Sequence, residues 1–580
     1  MKHVAANAAV VYFAGNFDTA TQRLMGRHAA SEGFLKGFSR YSGVDKFYCY
    51  TRSREEHEKF RAMIQGFLGR QPSTAWIPFM QLREIMRPGC LYRPGPNVGH
   101  FAWERRRLSN RAYSLCGVTH TTAEHQIMDA IGDLLVAPVQ RWDAVICTSR
   151  AVKSMVERVL KGYGEYLEQR FGNPAEPVLQ LPVIPLGTDC DIFLSGEQAA
   201  AARQRMRAEH GIAEEDIVVL FVGRLNAFEK ANPLQMYACV EAAAQRTGLR
   251  FHLIQAGWFA GEFNEQAIRE GANNLAPSVR HLFLDGRDPA IRREVWTCAD
   301  IFASLSDNIQ ETFGLTPVEA MAAGLPAVVS DWNGYRDTVI DGIEGFRIPT
   351  VMPPAGHGED IAYRYAAAVD GYATYCGRSS QFISVDAKRC TDAFVELARR
   401  PELRRAMSAA GRRRARELYD WKVVIPQYQA LWAELAARRQ RDEEIVPNRP
   451  GRPPQPLRED PFSLFRAYPT AVIEDHSVVS LIDGYNVDRA KRISRSRLAR
   501  IGGRSESDDI DVARIVTHLK KKGPTSVAAL RSLLPHARQW SMHRTLGWMG
   551  KLSIVSILQP RLDARVAVEQ NQQKEVAVAD

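Results

Sequence analysis

The sequence predicts an α/β fold: two doubly wound domains, each built on a parallel sheet, and a small, mainly helical module at the carboxyl end. Three observations support this prediction. Short apolar runs alternate with helical periodicity from the start of the chain, the alternation restarts near residue 205, and a proline-rich stretch separates both parts from a basic helical segment. Strands separated by helices form parallel β-α-β units, and two such halves leave a cleft at the carboxyl ends of their strands.

Residues 1–195 are predicted to form the first domain. Its apolar runs are typical of buried strands: AVVYFAG, KFYCYT, YSLCGVTHTT, WDAVICTS and VLQLPVIPLGTD. Between the last two, SRAVKSMVERVLKGYGEYLEQRF has the periodicity of an amphipathic helix.

Residues 196–420 are predicted to form the second domain. It repeats the pattern with the runs DIVVLFVGRL, RFHLIQAG, HLFLDG, DIFASLS and PAVVSDWNG. A helix is expected to open at Asn232-Pro233, because proline is favoured in a first helical turn. Residues 353–382 resemble an insertion into this domain, with no role that the sequence assigns.

The rest of the chain is divided by composition. Residues 421–440 predict a long amphipathic helix that packs back on the first domain. Beyond it we expect a proline-rich linker at 441–462, an irregular connector at 463–504, a helical module at 505–560 and a flexible tail at 561–580.

Composition narrows the class of protein. The chain has 580 residues and 45% hydrophobic composition, which is typical of a globular protein. Its nine cysteines include no C-x-x-C pair, so we expect a reducing compartment and no structural zinc. The apolar amino-terminal run is interpreted as a strand and not a signal segment, and no run reaches membrane-spanning length. These features predict a cytoplasmic protein.

The net charge of +10 permits several anionic partners without choosing among them: a nucleotide, a lipid headgroup or a nucleic acid. Basic runs such as WERRRLSNR and AAGRRRARE are most often solvated helix faces. A peripheral contact with the inner face of the membrane is kept as an open alternative.

The segment Gln310–Pro326, QETFGLTPVEAMAAGLP, concentrates residues that begin and end helices. Thr316 precedes a proline, so it is predicted as the N-cap of a short helix. Glu319 then lies where a capping-box carboxylate reaches back to the cap. A purely structural role therefore stays open for Glu319.

Glu311 lies before that helix, shortly after the apolar run DIFASLS. A strand, a glycine-containing loop and a helix start form an anion site, because unpaired N–H groups can point at phosphate oxygens. Those groups belong to Gly314, Leu315 and Thr316. A carboxylate beside such a site is costly unless a hydroxyl or a cation meets it. A ligand with phosphates and hydroxyls, such as a nucleotide sugar, would satisfy both requirements.

Five motifs in order along residues 5–440 resemble the retaining glycosyltransferases of family 4, which have the GT-B architecture of two Rossmann-like domains. In chain order they are GVTHTT, AVICTSRAV, VIPLGTD, FVGRLNAFEK and ETFGLTPVE. The last is similar to the family's E-x7-E signature, with Glu311 and Glu319 at its ends. One such motif is weak evidence, and five in the right order are a specific signal.

The resemblance implies a role for each candidate site residue. Arg224 and Lys230 would grip the donor diphosphate, beside the N–H groups at the helix start. Glu311 would bind hydroxyls of the donor sugar and Glu319 those of the ribose. His120 stands where the family has a histidine near the reacting sugar, so Glu311 and His120 are the candidate catalytic residues. No metal, cofactor or carboxylate nucleophile is assigned.

Elementary chemistry supports a diphosphate-binding role for Arg224 and Lys230. Breaking a sugar–diphosphate bond leaves negative charge on the departing phosphate, and cations placed there stabilise the transition state. A planar arginine fork and a mobile lysine suit that task. The alternatives stay open that Arg224 and Lys230 are surface charges and that His120 is a core histidine.

The motif expected on the acceptor side matches the family pattern less closely than the donor-site motifs do. The glycine-rich loop expected after the first strand is here RLMGRHAASEGF, where bulky residues separate Gly26 from Gly33. Gly26 is the acceptor-side candidate. The Lys-Gly pair usual in the family is here Lys230-Ala231.

Residues 511–560 hold eight Lys or Arg against one acidic residue, Asp511. The module resembles a winged helix, with Arg538, His543 and Arg544 among the residues of the would-be recognition helix. The alternative is a docking or dimerisation module with a core that includes Trp540. A nucleic-acid contact through residues 511–560 is the less favoured of the two.

The functional prediction is therefore a retaining transferase that moves a hexose from a nucleotide-diphosphate sugar to a glycan or lipid-linked acceptor. Two other classes remain open. One is a DNA-binding regulator whose GT-B part senses nucleotide sugars. The other is a nucleotide-sugar epimerase, which would need no acceptor.

Overall fold

The computed structural model describes residues 5–17, 26–501 and 509–558. The chain divides into two compact units, Met1–Pro456 and Leu457–Asp580. The first unit contains two six-stranded sheets, and all strand pairs that the structure describes within them are parallel. The predicted fold class, two Rossmann-like α/β domains of the GT-B kind with a small carboxyl-terminal module, is confirmed.

The first sheet has the strand order β3-β2-β1-β4-β5-β6. Its strands are β1 (Ala9–Val11), β2 (Phe47–Thr51), β3 (Thr74–Pro78), β4 (Cys90–Arg93), β5 (Ser114–Val118) and β6 (Ala144–Ile146). Its helices are α1 (Gly26–Tyr41), α2 (Arg54–Leu68), α3 (Gly99–Arg106), α4 (His125–Asp133) and α5 (Arg150–Phe171). Sequence analysis missed β3 and β4, since their runs TAWIP and CLYR are short and mixed with polar residues. The run VLQLPVIPLGTD pairs with β6 and its extension only through isolated bridges.

The second sheet has the order β12-β11-β10-β7-β8-β9. Its strands are β7 (Ile217–Val222), β8 (Phe251–Gly257), β9 (Arg280–Asp285), β10 (Ile301–Ser304), β11 (Ala327–Ser330) and β12 (Gly345–Ile348). The helices up to β12 are α6 (Gly196–Glu209), α7 (Leu234–Thr247), α8 (Glu262–Leu275), α9 (Pro289–Cys298), α10 (Leu315–Ala323) and α11 (Tyr335–Thr338). The five predicted apolar runs correspond to β7 through β11.

After β12 the chain leaves the sheet and returns. A short ribbon of β13 (Thr350–Val351) and β14 (Ser384–Val385) encloses α12 (Glu359–Ala366) and α13 (Tyr372–Ser380). Two further helices, α14 (Ala387–Arg399) and α15 (Pro401–Arg414), cover the second domain. The long helix α16 (Trp421–Arg441) follows.

Helix α16 packs on the first domain. Its Tyr428 and Trp432 are buried in the same hydrophobic core as β1, β2 and β4. Trp421 lies so close to Gly37 and Gly187 that a Cβ at either glycine would meet the indole within 2.9 Å. The two glycines thus allow the helix to approach, and the chain that closes the second domain is anchored on the first.

The segment predicted as a proline-rich linker is partly bound to the first domain. The Gln140 amide donates to the carbonyl of Ile445 at 2.9 Å and accepts from its N–H at 2.8 Å. Asn110 Nδ2 donates to Glu444 at 2.7 Å, and Asn448 donates to the carbonyl of Arg106 at 2.7 Å. Proline-rich composition indicated an extended chain, but only these specific contacts show that it is docked.

The second unit has its own core and an antiparallel sheet of order β16-β15-β17. Its elements are α17 (Pro461–Leu464), β15 (Val478–Leu481), α18 (Val487–Ser494), α19 (Asp509–Lys522), β16 (Thr525–Ser526), α20 (Val527–Arg531), α21 (Met542–Lys551) and β17 (Val555–Leu558). The predicted irregular connector supplies the central strand β15. Trp540, expected in the core, is 72% exposed. The predicted tail at 561–580 lies outside the described residues.

Two further observations concern the chain as a whole. Among the described residues, none of the helices combines the length and apolar character that a membrane span requires. All nine cysteines are buried and free.

Candidate functional site

The candidate site lies at the carboxyl ends of β7 and β10, beside the start of α10. Gly223 and Arg224 follow β7 directly, and Glu311 lies in the loop between β10 and α10. Gly223 has φ +152°, and a Cβ there would lie 3.3 Å from Lys230 Cε. A glycine at this strand end therefore leaves room for the lysine side chain to cross it.

Lys230 and Glu311 form an ion pair at the centre of the site. Lys230 Nζ lies 2.7 Å from Glu311 Oε2, and the side chains are 20% and 12% exposed, respectively. Burial raises the pKa of Glu311, but the Lys230 ammonium and the N–H groups of Thr312 and Phe313 outweigh it, so the net pKa is lowered. Burial lowers the pKa of Lys230, and its attraction to Glu311 reverses that shift. Both groups are thus charged at neutral pH.

Arg224 is held by a second carboxylate. Its Nη1 lies 2.9 Å from Glu229 Oε2, which also accepts from Asn226 Nδ2 at 2.9 Å. Arg224 Nη2 faces the side-chain amide of Gln310, next to Glu311. The guanidinium is therefore oriented from both sides, close to the loop that carries the central ion pair.

Helix α10 begins two residues earlier than predicted. Gly314 is its N-cap in a left-handed conformation with φ +94°, and no side chain caps the helix. A Cβ at Gly314 would lie 2.4 Å from the ring of Tyr335, so two constraints require glycine there. Thr316 is thus inside the first turn, and the prediction of a Thr316 cap is wrong. The N–H groups of Leu315 and Thr316 are first-turn donors.

Glu319 is too far along α10 to be a capping-box residue, because the helix starts at Leu315. Its side chain is half-buried. Burial raises the pKa of Glu319 to about 7, partly opposed by the charges of Lys230 and Arg292. A carboxyl with this pKa changes charge near neutral pH, which is typical of functional sites.

The first domain meets this loop through the ends of β5 and β6. Thr312 Oγ1 donates to the carbonyl of His120 at 3.2 Å. Ser149 Oγ donates to the carbonyl of Thr312 at 2.7 Å. The backbone of the half-buried His120 thus contacts Thr312, the residue that follows Glu311, although the two segments are far apart in sequence.

Gly26 has a different place. It opens α1, is exposed, and open space surrounds the position of a Cβ. The preceding part of the predicted acceptor-side loop, residues 23–25, lies outside the described residues. Its suggested role stays a prediction.

Sequence analysis missed several residues of the site. Glu229 stands beside Lys230 in the motif FVGRLNAFEK, and its position there was the available signal. The Tyr335 hydroxyl forms a hydrogen bond with Ser304 Oγ at 2.8 Å. No motif in the sequence marked Tyr335 as a site residue. Asp307 is buried, which raises its pKa to about 7, and both its oxygens lie 3.4 Å from the N–H of Asn232.

Comparison with known proteins gives a family match inside the second domain. Residues 202–355 match the family model described as "Glycosyl transferases group 1". The chain contains a group 1 glycosyltransferase domain. This domain includes Arg224, Lys230, Glu311 and Glu319, and its match ends before α12.

Curated relatives agree over part of their length. The chain is 31% identical over 176 residues to the D-inositol 3-phosphate glycosyltransferase of Mycobacteroides abscessus, covering 30% of this chain and 37% of that protein. It is 27% identical over 306 residues to the protein of that name from Segniliparus rotundus, covering 49% and 64%. The chain thus spans less than two thirds of the length of either relative.

Two solved structures are similar to the chain at low sequence identity. HepE of Anabaena in complex with UDP has a TM-score of 0.44 and 16% identity, covering 70% of this chain and 96% of that one. Sucrose-phosphate synthase of Thermosynechococcus elongatus has a TM-score of 0.43 and 17% identity, covering 75% and 96%.

Proposed function

We propose that the protein is a retaining glycosyltransferase of family 4 that moves a hexose from a nucleotide-diphosphate sugar to a glycan or lipid-linked acceptor. One observation carries the proposal. Lys230, Glu311 and the Arg224 guanidinium gather at the start of α10. The group 1 match supplies the class of reaction.

In this proposal the cations receive the departing diphosphate. Glu229 already orients the Arg224 guanidinium, so the arginine side chain loses little conformational entropy when a phosphate binds. Lys230 adds a mobile charge, and the first-turn N–H groups of Leu315 and Thr316 add the positive end of the α10 dipole. Stabilisation of the leaving group acts directly on the transition state.

The two glutamates provide the hydroxyl contacts. Glu311 is ionised and central, so its free lone pairs can accept hydroxyls of the donor sugar while Lys230 is shared with phosphate. Glu319 would accept the ribose hydroxyls. A buried carboxylate that loses these partners is penalised, which makes both residues specificity determinants.

His120 and the first domain form the opposite wall. The contact between Thr312 and the His120 carbonyl brings that wall next to the sugar-binding carboxylate. The acceptor would enter between the domains, on the side of Gly26. A cytoplasmic location and a peripheral membrane contact belong to the same proposal, since a lipid-linked acceptor would be presented at a membrane surface.

A thermal-shift panel of nucleoside diphosphates and nucleotide sugars would identify the donor, because binding to the folded state raises the Tm. Turnover is then measured as release of nucleoside diphosphate, with glycan, lipid-linked and D-inositol 3-phosphate acceptors. The last is included because of the relatives' name. We expect release with the correct acceptor only, whereas an epimerase would convert the donor without one.

The site assignment is tested by Glu311→Ala and Arg224→Ala, each of which should reduce turnover by about a hundredfold or more. A matched control is Lys388→Met on α14, whose side chain is 88% exposed. Unchanged turnover in both site variants would refute the assignment. Retention is tested separately by NMR of the anomeric configuration of the product.

A further inference from the structure

The inserted segment 353–382 folds as a helical hairpin that contacts both domains of the first unit. Its base is the ribbon of β13 and β14, where Thr350 pairs with Val385 and Val351 with Ser384. Helices α12 and α13 extend from that base. Both helices lie beyond residue 355, where the match to the family model ends.

Helix α12 contacts the first domain through Tyr365. Its hydroxyl accepts the N–H of His125 at 3.1 Å, and its ring centroid lies 3.5 Å from that of His125. Tyr375 of α13 also stacks on the Tyr365 ring, with centroids 4.2 Å apart. His125 begins α4, which has no side-chain cap of its own. Tyr365 therefore satisfies a first-turn N–H group of a helix in the other domain.

Helix α13 contacts the same segment through Tyr372. Its hydroxyl lies 3.2 Å from Thr121 Oγ1, and Thr121 directly follows His120. The tyrosine is partly buried, so this hydrogen bond is shielded from bulk water.

The opposite face of α13 packs on the loop that carries the cations. A Cβ at Gly377 would lie 2.5 Å from the ring of Phe228, so the helix and the loop are in close contact. Phe228 immediately precedes Glu229 and Lys230, and its carbonyl accepts from Asn308 Nδ2 at 2.7 Å. One helix thus touches the diphosphate-side loop and the His120 segment at the same time.

We propose that Tyr372 is a positioning residue, and that the hairpin 353–382 holds the His120 segment at a set distance from Lys230 and Glu311. The inference rests on the proposed function for its catalytic consequence. Rossmann-like domains joined by a limited interface move relative to each other by default. The hairpin adds to the connections made by Thr312 and by α16, and it contacts Thr121, the residue that follows the candidate catalytic His120.

Tyr372→Phe tests the proposal because it removes one hydroxyl and keeps the ring. We expect kcat to fall about five- to tenfold, the effect of losing the one shielded hydrogen bond that holds Thr121 next to His120. The KM for the donor and the affinity for the nucleoside diphosphate should stay unchanged, since Arg224 and Lys230 lie in the second domain. Thr121→Val removes the other partner and should have the same effect, with no further loss in the double variant.

The matched control is Tyr363→Phe on α12, where the side chain is 74% exposed. It should match the wild-type protein in kcat, KM and Tm. If Tyr372→Phe and Thr121→Val behave like this control, the proposal is overturned. A merely structural role would lower Tm and diphosphate affinity together, which also contradicts it.

A second measurement is independent of turnover. Hydrogen exchange at the amide of His125 and along residues 121–128 should be at least fivefold faster in Tyr365→Phe than in the wild-type protein, because the hydroxyl that protects this amide is gone. Unchanged exchange would overturn the connection between hairpin and first domain. Absence of both nucleotide binding and turnover in the wild-type protein would refute the proposed function, and the exchange result would still decide this one.

Discussion

Replacement of Lys230 by methionine separates the structural and chemical roles of the central ion pair. Methionine retains most of the lysine's apolar stem and removes its charge. In Lys230→Met, Glu311 loses the cation that lies 2.7 Å away, while its side chain stays 12% exposed. The carboxylate is then a largely buried charge without a counterion.

The magnitude follows from that geometry. At an effective dielectric constant of about 20, two unit charges at this distance attract by about 6 kcal/mol, and desolvation of both groups offsets much of it. Removing one partner of a buried pair costs about 3–5 kcal/mol, and we expect about 3 kcal/mol here because the pair is partly exposed.

The pH dependence of stability should also change. In the wild-type protein the lowered pKa of Glu311 contributes stability that is present above the ordinary carboxyl pKa and is lost as the pH falls. In Lys230→Met only the N–H groups of Thr312 and Phe313 still oppose burial, which is the largest of these effects, so we expect the pKa of Glu311 to rise above its ordinary value. The free energy of unfolding should then decrease as the pH rises from about 5 to 8.

The double variant Lys230→Met/Glu311→Gln is the decisive control. With no charge left to bury, it should recover most of the lost stability in thermal denaturation, yet release of nucleoside diphosphate should stay reduced by at least about a hundredfold. Recovery of turnover along with stability would refute the catalytic role of the pair. Lys388→Met should change neither property.

Three further predictions concern other parts of the first unit. Glu319 has a pKa of about 7, so lowering the pH from about 8 to 6 protonates the carboxylate that would accept the ribose hydroxyls, and affinity for the nucleoside diphosphate should fall. Calorimetry should find that affinity depends less steeply on pH in Glu319→Gln than in the wild-type protein. Arg105 donates to the fully buried carboxylate of Asp143 at 2.6 and 2.8 Å. Arg105→Met leaves that carboxylate buried without a counterion, so the free energy of unfolding should fall by about 3–5 kcal/mol. Equal stability of variant and wild-type protein in chemical denaturation would contradict this. Gly314→Ala should abolish diphosphate binding in the thermal-shift panel, since φ +94° and the Tyr335 ring both exclude a Cβ; wild-type binding would show that the start of α10 tolerates the change.

Much of the fold could be predicted from local pattern. Long apolar runs such as DIVVLFVGRL correspond to central strands, because strands covered by helices on both faces need continuous apolar sequence. The missed strands β3, β4 and β12 carry mixed runs, and their pairing depends on neighbours that the local sequence does not contain. Strand β15 was missed for the same reason, since its partners come from residues 525–526 and 555–558.

The sequence predicted which charged residues form the candidate site, but not which of them contact each other. The motifs around Arg224, Lys230, Glu311 and Glu319 marked charged residues at strand ends, where parallel sheets bind ligands. They did not indicate that Glu229 orients the arginine. The capping prediction for Thr316 was wrong because the left-handed Gly314 is the N-cap, two residues earlier. The Tyr335 ring packs where a Cβ at position 314 would lie, so only glycine fits there.

By itself, then, the sequence determined the α/β class, the repeat of two domains and the types of charged group available for a sugar diphosphate. These follow from periodicity and residue chemistry, which are local properties. Only the tertiary structure decided that Lys230 meets Glu311, that Thr312 contacts His120, and that Tyr372 reaches Thr121 from the other domain. Such pairs join residues tens to hundreds of positions apart, and their distances depend on how whole sheets and helices pack, which no short stretch of chain encodes.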